Sequence, residues 1–154
     1  MADYHLQAAT AEQETAVKSL IRAVHINPLG VDWRRFVVAV DAHGAVIGCG
    51  QVKPHGDGSR ELASIAVVPE WRRQGVARAI IQRLQSEHAP PLWLTCVSTL
   101  TPFYAPFGFV EVRETAVMPP YFRRVHRLFG LFARFSSQTG TLAVMVWPGD
   151  TKNC

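Results

Sequence analysis

The chain has 154 residues, of which 48% are hydrophobic and 18% charged. This composition excludes a disordered chain and predicts a single domain over residues 1–154 with a sizeable core. The formal net charge is +4, which equals the four arginines between Tyr121 and Phe135, a stretch without an acidic residue. The rest of the chain is balanced, so nucleic acid is not a favoured partner.

Targeting signals and metal-ligand patterns are missing from the sequence. No apolar stretch approaches the roughly 20 residues that span a bilayer, and MADYHLQAAT lacks the regions of a signal peptide. The cysteines Cys49, Cys96 and Cys154 are odd in number and widely spaced, which suits neither a disulfide framework nor a metal pair. We therefore expect a cytoplasmic protein without a transmembrane segment and without a metal site.

A helix and a β-hairpin are predicted first along the chain. Thr10 and Gln13 have the spacing of a capping box. Apolar residues at the helical period follow and predict a helix from about residue 11 to residue 24: Ala16, Val17, Leu20, Ile21 and Val24. RRFVVAVD and AVIGCGQVK are β-rich runs separated by Asp41–Gly44, which is the pattern of a hairpin.

The remaining elements predict an α/β fold. Glu61–Val68 is apolar on both faces, as in a central strand. From Gln74 the apolar period becomes helical, and LWLTC, FVEVRE and TLAVMVW are later strand candidates. The order β-α-β-β-β-α-β-α-β-(α)-β predicts one mixed sheet flanked by helices. The hairpins argue against an all-parallel sheet.

The junction between Glu61–Val68 and the next helix has the features of an anion site. The first amides of a helix have no intrahelical acceptor, and the helix dipole favours negative charge there. Gly75 and the small Ala77 allow a ligand to approach the backbone, and Arg73 adds positive charge. We expect a pyrophosphate on the amides of residues 73–77: Arg73, Gln74, Gly75, Val76 and Ala77. The alternative is an ordinary strand–helix junction in which Gly75 only relaxes a tight turn.

Two motifs resemble the GNAT superfamily of N-acetyltransferases. VVPEWRRQGVARAII looks like the family's acyl-CoA motif, (Gln/Arg)-x-x-Gly-x-(Gly/Ala), with Arg72, Gly75 and Ala77 in its three defined places. FYAPFGF resembles the family's Tyr-x-x-x-Gly-Phe segment, with Tyr104 before Gly108 and Phe109. The element order between and around the motifs also matches over roughly residues 6–147.

The resemblance implies an α+β fold with a mostly antiparallel mixed sheet that is splayed at the CoA site. It further implies that acetyl-CoA is the co-substrate, with its pyrophosphate on the amides of residues 73–77 and Arg78 close by. The backbone of Ala66, Val67 and Val68 would pair with the pantetheine arm like an added strand.

Acyl transfer to an amine requires one proton acceptor and one proton donor. The resemblance places the Tyr104 hydroxyl beside the CoA sulfur, where a phenol can donate a proton at neutral pH; the alternative is a packed, structural tyrosine. Glu61 is the candidate base, because some branches of the family carry a glutamate at this spacing. The alternatives are a surface glutamate paired with a cation, or water as the base.

Two departures from the family pattern affect Tyr104. Val97 occupies the place where many members carry asparagine, and Pro102 and Pro106 reduce the expected helix around Tyr104 to a short turn. Cys96 lies near the same strand end, but without a histidine placed by the sequence it is interpreted as a small buried side chain.

A basic amphipathic helical insertion is predicted over about residues 119–138. One helix face would carry Phe122, Val125, Leu128, Phe129, Phe132 and Phe135, and the opposite face Arg123, Arg127 and Arg134. The helix could pack on the core or on a subunit of a homodimer. It could also be a lid whose Arg123 and Arg127 bind an acidic acceptor, or a contact for a membrane surface or nucleic acid. A resemblance to small N-acetylglutamate synthase-like members favours the lid.

The leading functional hypothesis is an N-acetyltransferase. It would transfer acetyl from acetyl-CoA to the primary amine of a small molecule, with an acidic amino acid as the favoured acceptor, directly in a ternary complex. The alternative is a non-catalytic acyl-CoA-binding module that docks a regulatory partner through its basic helix.

Overall fold

The computed structural model of the protein describes residues 3–24, 26, 30–133 and 141–150, without the side chains of 131–133. These residues form the strands β1 (Tyr4–Ala8), β2 (Phe36–Asp41), β3 (Val46–Pro54), β4 (Arg60–Val67), β5 (Leu92–Val97), β6 (Val110–Val112) and β7 (Leu142–Trp147). The helices are α1 (Glu14–Ala23), α2 (Val76–Glu87), the four-residue α3 (Thr101–Tyr104) and α4 (Pro120–Ala133). The predicted order of elements is confirmed.

The strands form one open sheet in the order β1-β2-β3-β4-β5-β7-β6. The pairs β1–β2, β2–β3, β5–β7 and β6–β7 are antiparallel, and β4 pairs with β5 in parallel through Glu61 and Trp93. The prediction of a mixed, mostly antiparallel sheet is confirmed. Chain contacts divide the protein into two units, residues 1–53 with 62–88 and residues 54–61 with 89–154, and the single-domain assignment stays a prediction.

In the first unit, local sequence signals produce the expected elements. The capping box is present, with the Thr10 N–H donating to Gln13 Oε1 at 2.9 Å, and α1 buries Val17, Leu20 and Ile21 against β2 and β3. The hairpin turn is closed by Asp41, whose carboxylate accepts the amides two and four residues later.

Glycines on β3 explain how α2 lies so close to the sheet. A Cβ on Gly48 would come within 2.8 Å of Val76, and one on Gly50 within 2.7 Å of Ile80. These distances are shorter than van der Waals contact, so side chains at these positions would push α2 away. The close packing holds the first two turns of α2 against β3, immediately after the loop between β4 and α2.

The strand β4 is less regular than its apolar sequence predicts. Ser64 lies in the left-handed region with φ of +58°, which is uncommon for a residue with a Cβ. Its hydroxyl accepts a hydrogen bond from Gln51 Nε2 at 3.0 Å, and its carbonyl accepts one from Cys49 Sγ at 3.5 Å. The simple alternation of two apolar faces is therefore interrupted at Ser64.

In the second unit, the apolar face of α4 is buried at Phe122 and exposed further along the helix. Phe122 is fully buried and packs with Met118 and Val144. Leu128 and Phe129, predicted on the same helix face, are 55% and 49% exposed. Helix α4 therefore meets the core through its first turn, and what its apolar face contacts further along stays open. Phe135 and Arg134 lie outside the described residues, as does the predicted end at residue 138.

Candidate active site

The loop between β4 and α2 is an exposed strand–helix junction in the first unit. Arg73 and Gly75 both adopt left-handed conformations, with φ of +63° and +82°. Helix α2 starts at Val76, and its first intrahelical bond runs from the Ala79 N–H to the Gly75 carbonyl. The amides at the very start of α2, including that of Ala77, therefore have no intrahelical acceptor, as an anion site requires.

Side chains of the loop fold back on its own carbonyls. Arg72 Nε donates to the Val67 carbonyl at 3.2 Å, and Gln74 Nε2 donates to the Glu70 carbonyl at 3.0 Å. A Cβ on Gly75 would meet no atom within 4 Å, so the surface above this residue is open. The guanidinium of Arg72 thus braces the loop, while the backbone at Gly75 is left accessible to a ligand.

The hydrogen bonds at the end of β4 indicate which of the three predicted residues could pair with the pantetheine arm. The Val68 N–H donates to the Ile47 carbonyl at 2.9 Å and so faces β3. Because successive residues of a strand direct their backbone groups to opposite edges, those of Ala66 also face β3, and those of Val67 face the other edge. Of the three predicted residues, Val67 is the one whose backbone groups are turned away from β3.

An apolar cavity of about 370 Å³ adjoins this loop. Residues of α1 and the ends of β3 and β4 line it, and Ser19 and Arg72 are the polar members of the lining. One bracing arginine and one hydroxyl do not make an anion site. The features suited to phosphate are therefore in the loop backbone and the start of α2.

In the second unit, Glu61 lies in a buried pocket. The residue is 8% exposed, and its Oε2 lies 2.7 Å from Nε2 of His55, an imidazole that is itself buried. The imidazole stacks on Tyr121, with ring centroids 3.5 Å apart and an interplanar angle of 16°. The Tyr121 N–H donates to Asp57 Oδ2 at 2.8 Å.

Tyr104 ends the short helix α3, as the flanking prolines predict. Its ring is in edge contact with Phe103 and Phe109. Burial raises the pKa of Tyr104 to about 12, with a smaller contribution from Cys96. The phenol therefore carries its proton at neutral pH.

The described cysteines are poor nucleophiles. Burial raises the pKa of Cys49 to about 12, and burial together with Glu111 raises the pKa of Cys96. Since the thiolate is the reactive form, the interpretation of Cys96 as a small buried side chain agrees with its environment. In the described part of the chain, no cluster of His, Cys, Asp and Glu could hold a metal ion, and no helix could cross a membrane.

A family model described as an acetyltransferase (GNAT) domain matches residues 32–111, just over half of the chain. The chain belongs to the GNAT acetyltransferase family. The match covers β2, β3, β4, the loop of the CoA motif, α2, β5 and Tyr104, so it includes both motifs on which the sequence resemblance rests.

Individual relatives agree with the GNAT assignment. An amino-acid acetyltransferase of Mycobacterium tuberculosis is 32% identical over 94 residues, which are 59% of this chain and 53% of the relative. The chain thus spans about half the length of the curated relative that it matches.

Solved structures share the GNAT fold at low sequence identity. A Mycobacterium tuberculosis protein solved in complex with CoA is 22% identical, with a TM-score of 0.71 over 95% of this chain and 99% of the other. N-acetylglutamate synthase from Neisseria gonorrhoeae, solved with CoA and N-acetyl-glutamate, is 17% identical, with a TM-score of 0.71 over 96% of this chain and 35% of the other. The ribosomal-protein-S18-alanine N-acetyltransferase of Escherichia coli is 17% identical, with a TM-score of 0.65 over 99% of both chains.

The site residues predicted from the sequence fall into two groups. The cofactor residues 66–68 and 72–78 lie in the first unit, and Glu61, Tyr104, Arg123 and Arg127 lie in the second. Arg123 is already engaged, since its guanidinium donates to three carbonyls, those of Thr115, Ala116 and Met118. Arg127 is exposed, and acceptor binding by either arginine stays a prediction.

Sequence reasoning missed His55. The signal that could have found it is the turn HGDGS between β3 and β4, which is closed by the His55 N–H donating to the Ser59 carbonyl at 2.9 Å. Residues at the two ends of a hairpin lie side by side, so a histidine entering this turn comes close to a glutamate leaving it.

Proposed function

We propose that the protein is an N-acetyltransferase that moves the acetyl group of acetyl-CoA to the primary amine of a small molecule. The observation that carries the proposal is the left-handed loop at Arg73 and Gly75, which precedes amides at the start of α2 that have no intrahelical acceptor. Backbone amides arranged in this way form an anion-binding concavity. Acetyl-CoA supplies the activated acetyl group when bound, and the amides of residues 73–77 would hold its pyrophosphate.

Arg78 lies in the first turn of α2, directly after the loop, and is exposed. It would add positive charge beside the phosphates without forming the cradle itself. Val67 would offer its backbone N–H to the pantetheine arm, because the backbone groups of Ala66 and Val68 face β3 and the Val67 carbonyl accepts from Arg72 Nε.

Glu61 is proposed as the base. An acceptor amine is protonated at neutral pH, since a lysine-like ammonium has a pKa of about 10.4. Glu61 takes one proton from the ammonium, and the free amine attacks the thioester carbonyl. The C–N bond forms, the nitrogen releases its second proton to water, the C–S bond breaks, and CoA leaves as a thiolate. No covalent intermediate on the protein is required when both substrates are bound together.

Tyr104 is proposed to stabilise the departing thiolate. A thiol has a pKa of about 8.5, so the Tyr104 phenol, with a pKa raised to about 12, is the weaker acid. Complete proton transfer from the phenol to the sulfur is therefore uphill. A hydrogen bond from the hydroxyl to the developing negative charge is the contribution that fits this pKa.

The acceptor is proposed to be an acidic amino acid. The support is that one relative is an amino-acid acetyltransferase and that a structural neighbour was solved with N-acetyl-glutamate. The exposed guanidinium of Arg127 is the candidate for the acceptor carboxylate, because that of Arg123 is occupied by three carbonyls.

The test is CoA thiol release from acetyl-CoA in the presence of glutamate, aspartate, glutamine, leucine and a simple alkylamine. We expect the acidic amino acids to give the highest kcat/KM. Fastest turnover with the alkylamine would contradict the acceptor assignment. Binding of acetyl-CoA without acceleration by any amine would contradict the enzyme assignment and favour a non-catalytic acyl-CoA-binding module.

A further inference from the structure

The carboxylate of Glu61 is held by one of its two oxygens. His55 Nε2 lies 2.7 Å from Oε2, while Oε1 has no hydrogen-bond partner among the described residues. A buried carboxyl group is costly unless it is hydrogen-bonded, and the imidazole supplies a hydrogen bond to Oε2. One oxygen is thus fixed and the other is available.

The imidazole is in turn held on two sides by α4. Tyr121 stacks on one face of the ring at 3.5 Å, and Phe122 presents an edge contact with centroids 5.7 Å apart. Phe122 is itself locked in place by stacking on Trp93, the residue that pairs with Glu61 across β4 and β5. The ring of His55 cannot rotate without displacing this aromatic cluster.

Asp57 ties the turn that carries His55 to the first turn of α4. Its carboxylate accepts the backbone N–H of Tyr121 at 2.8 Å and also hydrogen bonds from Ser59. Hydrogen bonds from the Ser59 hydroxyl and from the Tyr121 amide lower the pKa of Asp57 to about 2. The tie is therefore intact at neutral pH.

We propose that His55 is a positioning residue for acetyl transfer, which orients Glu61 by its Oε2 so that Oε1 receives the proton of the acceptor ammonium. The first turn of α4 holds the imidazole in place. This inference rests on the proposed function, because it requires Glu61 to be the base. Helix α4 would then help to orient the base through His55, in addition to any contact that its arginines make with an acceptor.

A purely structural pair predicts different behaviour. If His55 only supplied a hydrogen bond to the buried carboxyl group, its loss would lower the melting temperature and leave kcat of the folded enzyme unchanged. If His55 orients the base, its loss lowers kcat. KM for acetyl-CoA stays unchanged, because the His55–Glu61 pair does not bind the cofactor. A misplacement of about 1 Å at a reacting group can cost up to about 100-fold in rate.

The experiment is a double-mutant cycle on kcat with His55→Leu, Glu61→Gln and the double variant. We expect His55→Leu to lower kcat by about 10- to 100-fold with an unchanged KM for acetyl-CoA. In the Glu61→Gln background, His55→Leu should have no further effect, because residues that act through one another are non-additive. His55→Gln can present an amide N–H near the position of Nε2 and should recover most of the loss. His43→Leu, at an exposed turn histidine, is the matched control with wild-type kcat.

The outcomes separate the inference from the proposed function. Additive effects of the two substitutions, or failure of His55→Gln to restore kcat in a folded protein, would overturn the role of His55. An unchanged kcat in Glu61→Gln would instead remove Glu61 as the base. If no amine supports turnover, the imidazole ¹⁵N shifts of His55 compared with those in Glu61→Gln still report whether the pair forms, and unchanged shifts would overturn it.

Discussion

The two regions that we propose to carry the reaction are built from different parts of the polypeptide. The loop before α2 presents backbone: Arg73 and Gly75 are left-handed, and the side chains of Arg72 and Gln74 fold back on carbonyls. The Glu61 pocket presents side chains, which come from the β3–β4 turn, β4 and α4. The first region should therefore be sensitive to backbone conformation, and the second to the loss of single polar atoms.

Apart from substitutions of His55 and Glu61, the largest loss of kcat is expected from removing the hydroxyl of Tyr104. Tyr104→Phe keeps the ring contacts with Phe103 and Phe109 and removes the hydroxyl. Because the hydroxyl stabilises only the departing thiolate, kcat should fall by about 10- to 100-fold with little change in KM for acetyl-CoA. Tyr4→Phe, on β1, is the matched control. A wild-type kcat in Tyr104→Phe would show that this tyrosine is only structural.

A pair of glycines tests the backbone site. Gly75 and Gly44 both have φ above +80°, and a Cβ on either would meet no atom within 4 Å. Substitution by alanine should therefore cost each the same conformational strain, about 1–2 kcal/mol of unfolding free energy. Gly75→Ala should in addition raise KM for acetyl-CoA by about 10-fold, because the loop amides shift.

The measurement is chemical denaturation of both glycine variants together with KM for acetyl-CoA. Gly44→Ala should leave KM unchanged despite its loss of stability. Equal KM values in the two variants would mean that the left-handed loop does not bind the cofactor.

Substitutions of two arginines in α4 should separate an effect on stability from an effect on acceptor binding. Arg123→Ala removes three hydrogen bonds to carbonyls and should lower the free energy of unfolding by about 1–2 kcal/mol. Arg127→Ala should change stability by less than about 0.5 kcal/mol and raise KM for an acidic acceptor but not for a neutral one. Thermal melts and acceptor KM values check both. An Arg127→Ala variant that treats acidic and neutral acceptors as the wild type does would leave Arg127 without a role in recognition.

The smallest effect concerns pH and the Asp57 tie. A carboxyl whose pKa is lower in the folded than in the unfolded chain stabilises the fold above its unfolded value, and this stabilisation is lost as pH falls through the folded value. For Asp57 that window runs from its ordinary value of 3.8 down to about 2. Asp57→Asn should be less stable than the wild type at pH 7, and the difference should shrink as the pH approaches 2. Acid unfolding of both proteins, followed by fluorescence, measures this difference in stability. A difference that stays constant from pH 3.8 to about 2 would contradict a stabilising role for the ionised Asp57 carboxylate.

The local features of the fold could be predicted from the sequence because neighbouring residues determine them. The capping box at Thr10 and Gln13, the hairpin at Asp41 and the short α3 bounded by prolines depend on residues within a few positions of one another. The CoA motif belongs to the same class, since its strand end, left-handed loop and helix start are contiguous. For this reason the motif is sufficient to indicate the family.

The burial of α4 could not be predicted in the same way. Its periodicity indicates one apolar face, but periodicity does not specify how far the core extends beneath a helix. Phe122 reaches the cluster with Met118 and Val144, whereas Leu128 and Phe129, one to two turns later, remain largely exposed. The same first turn supplies Tyr121 to the histidine pocket, which no local pattern indicates.

The sequence by itself determined the family, the position of the loop that we propose for the pyrophosphate, and the candidate roles of Glu61 and Tyr104. Only the tertiary structure decided that Arg72 and Arg123 brace the backbone and that His55 holds Glu61. The physical reason is that adjacent residues set the backbone conformation of helix starts and turns, whereas the direction of a side chain depends on what packs around it. Arg72, Arg123 and His55 contact groups only five to eight residues away, but nothing in the local sequence selects those partners over solvent. The partner of Glu61 is decided by packing of aromatic rings that are far apart in the chain.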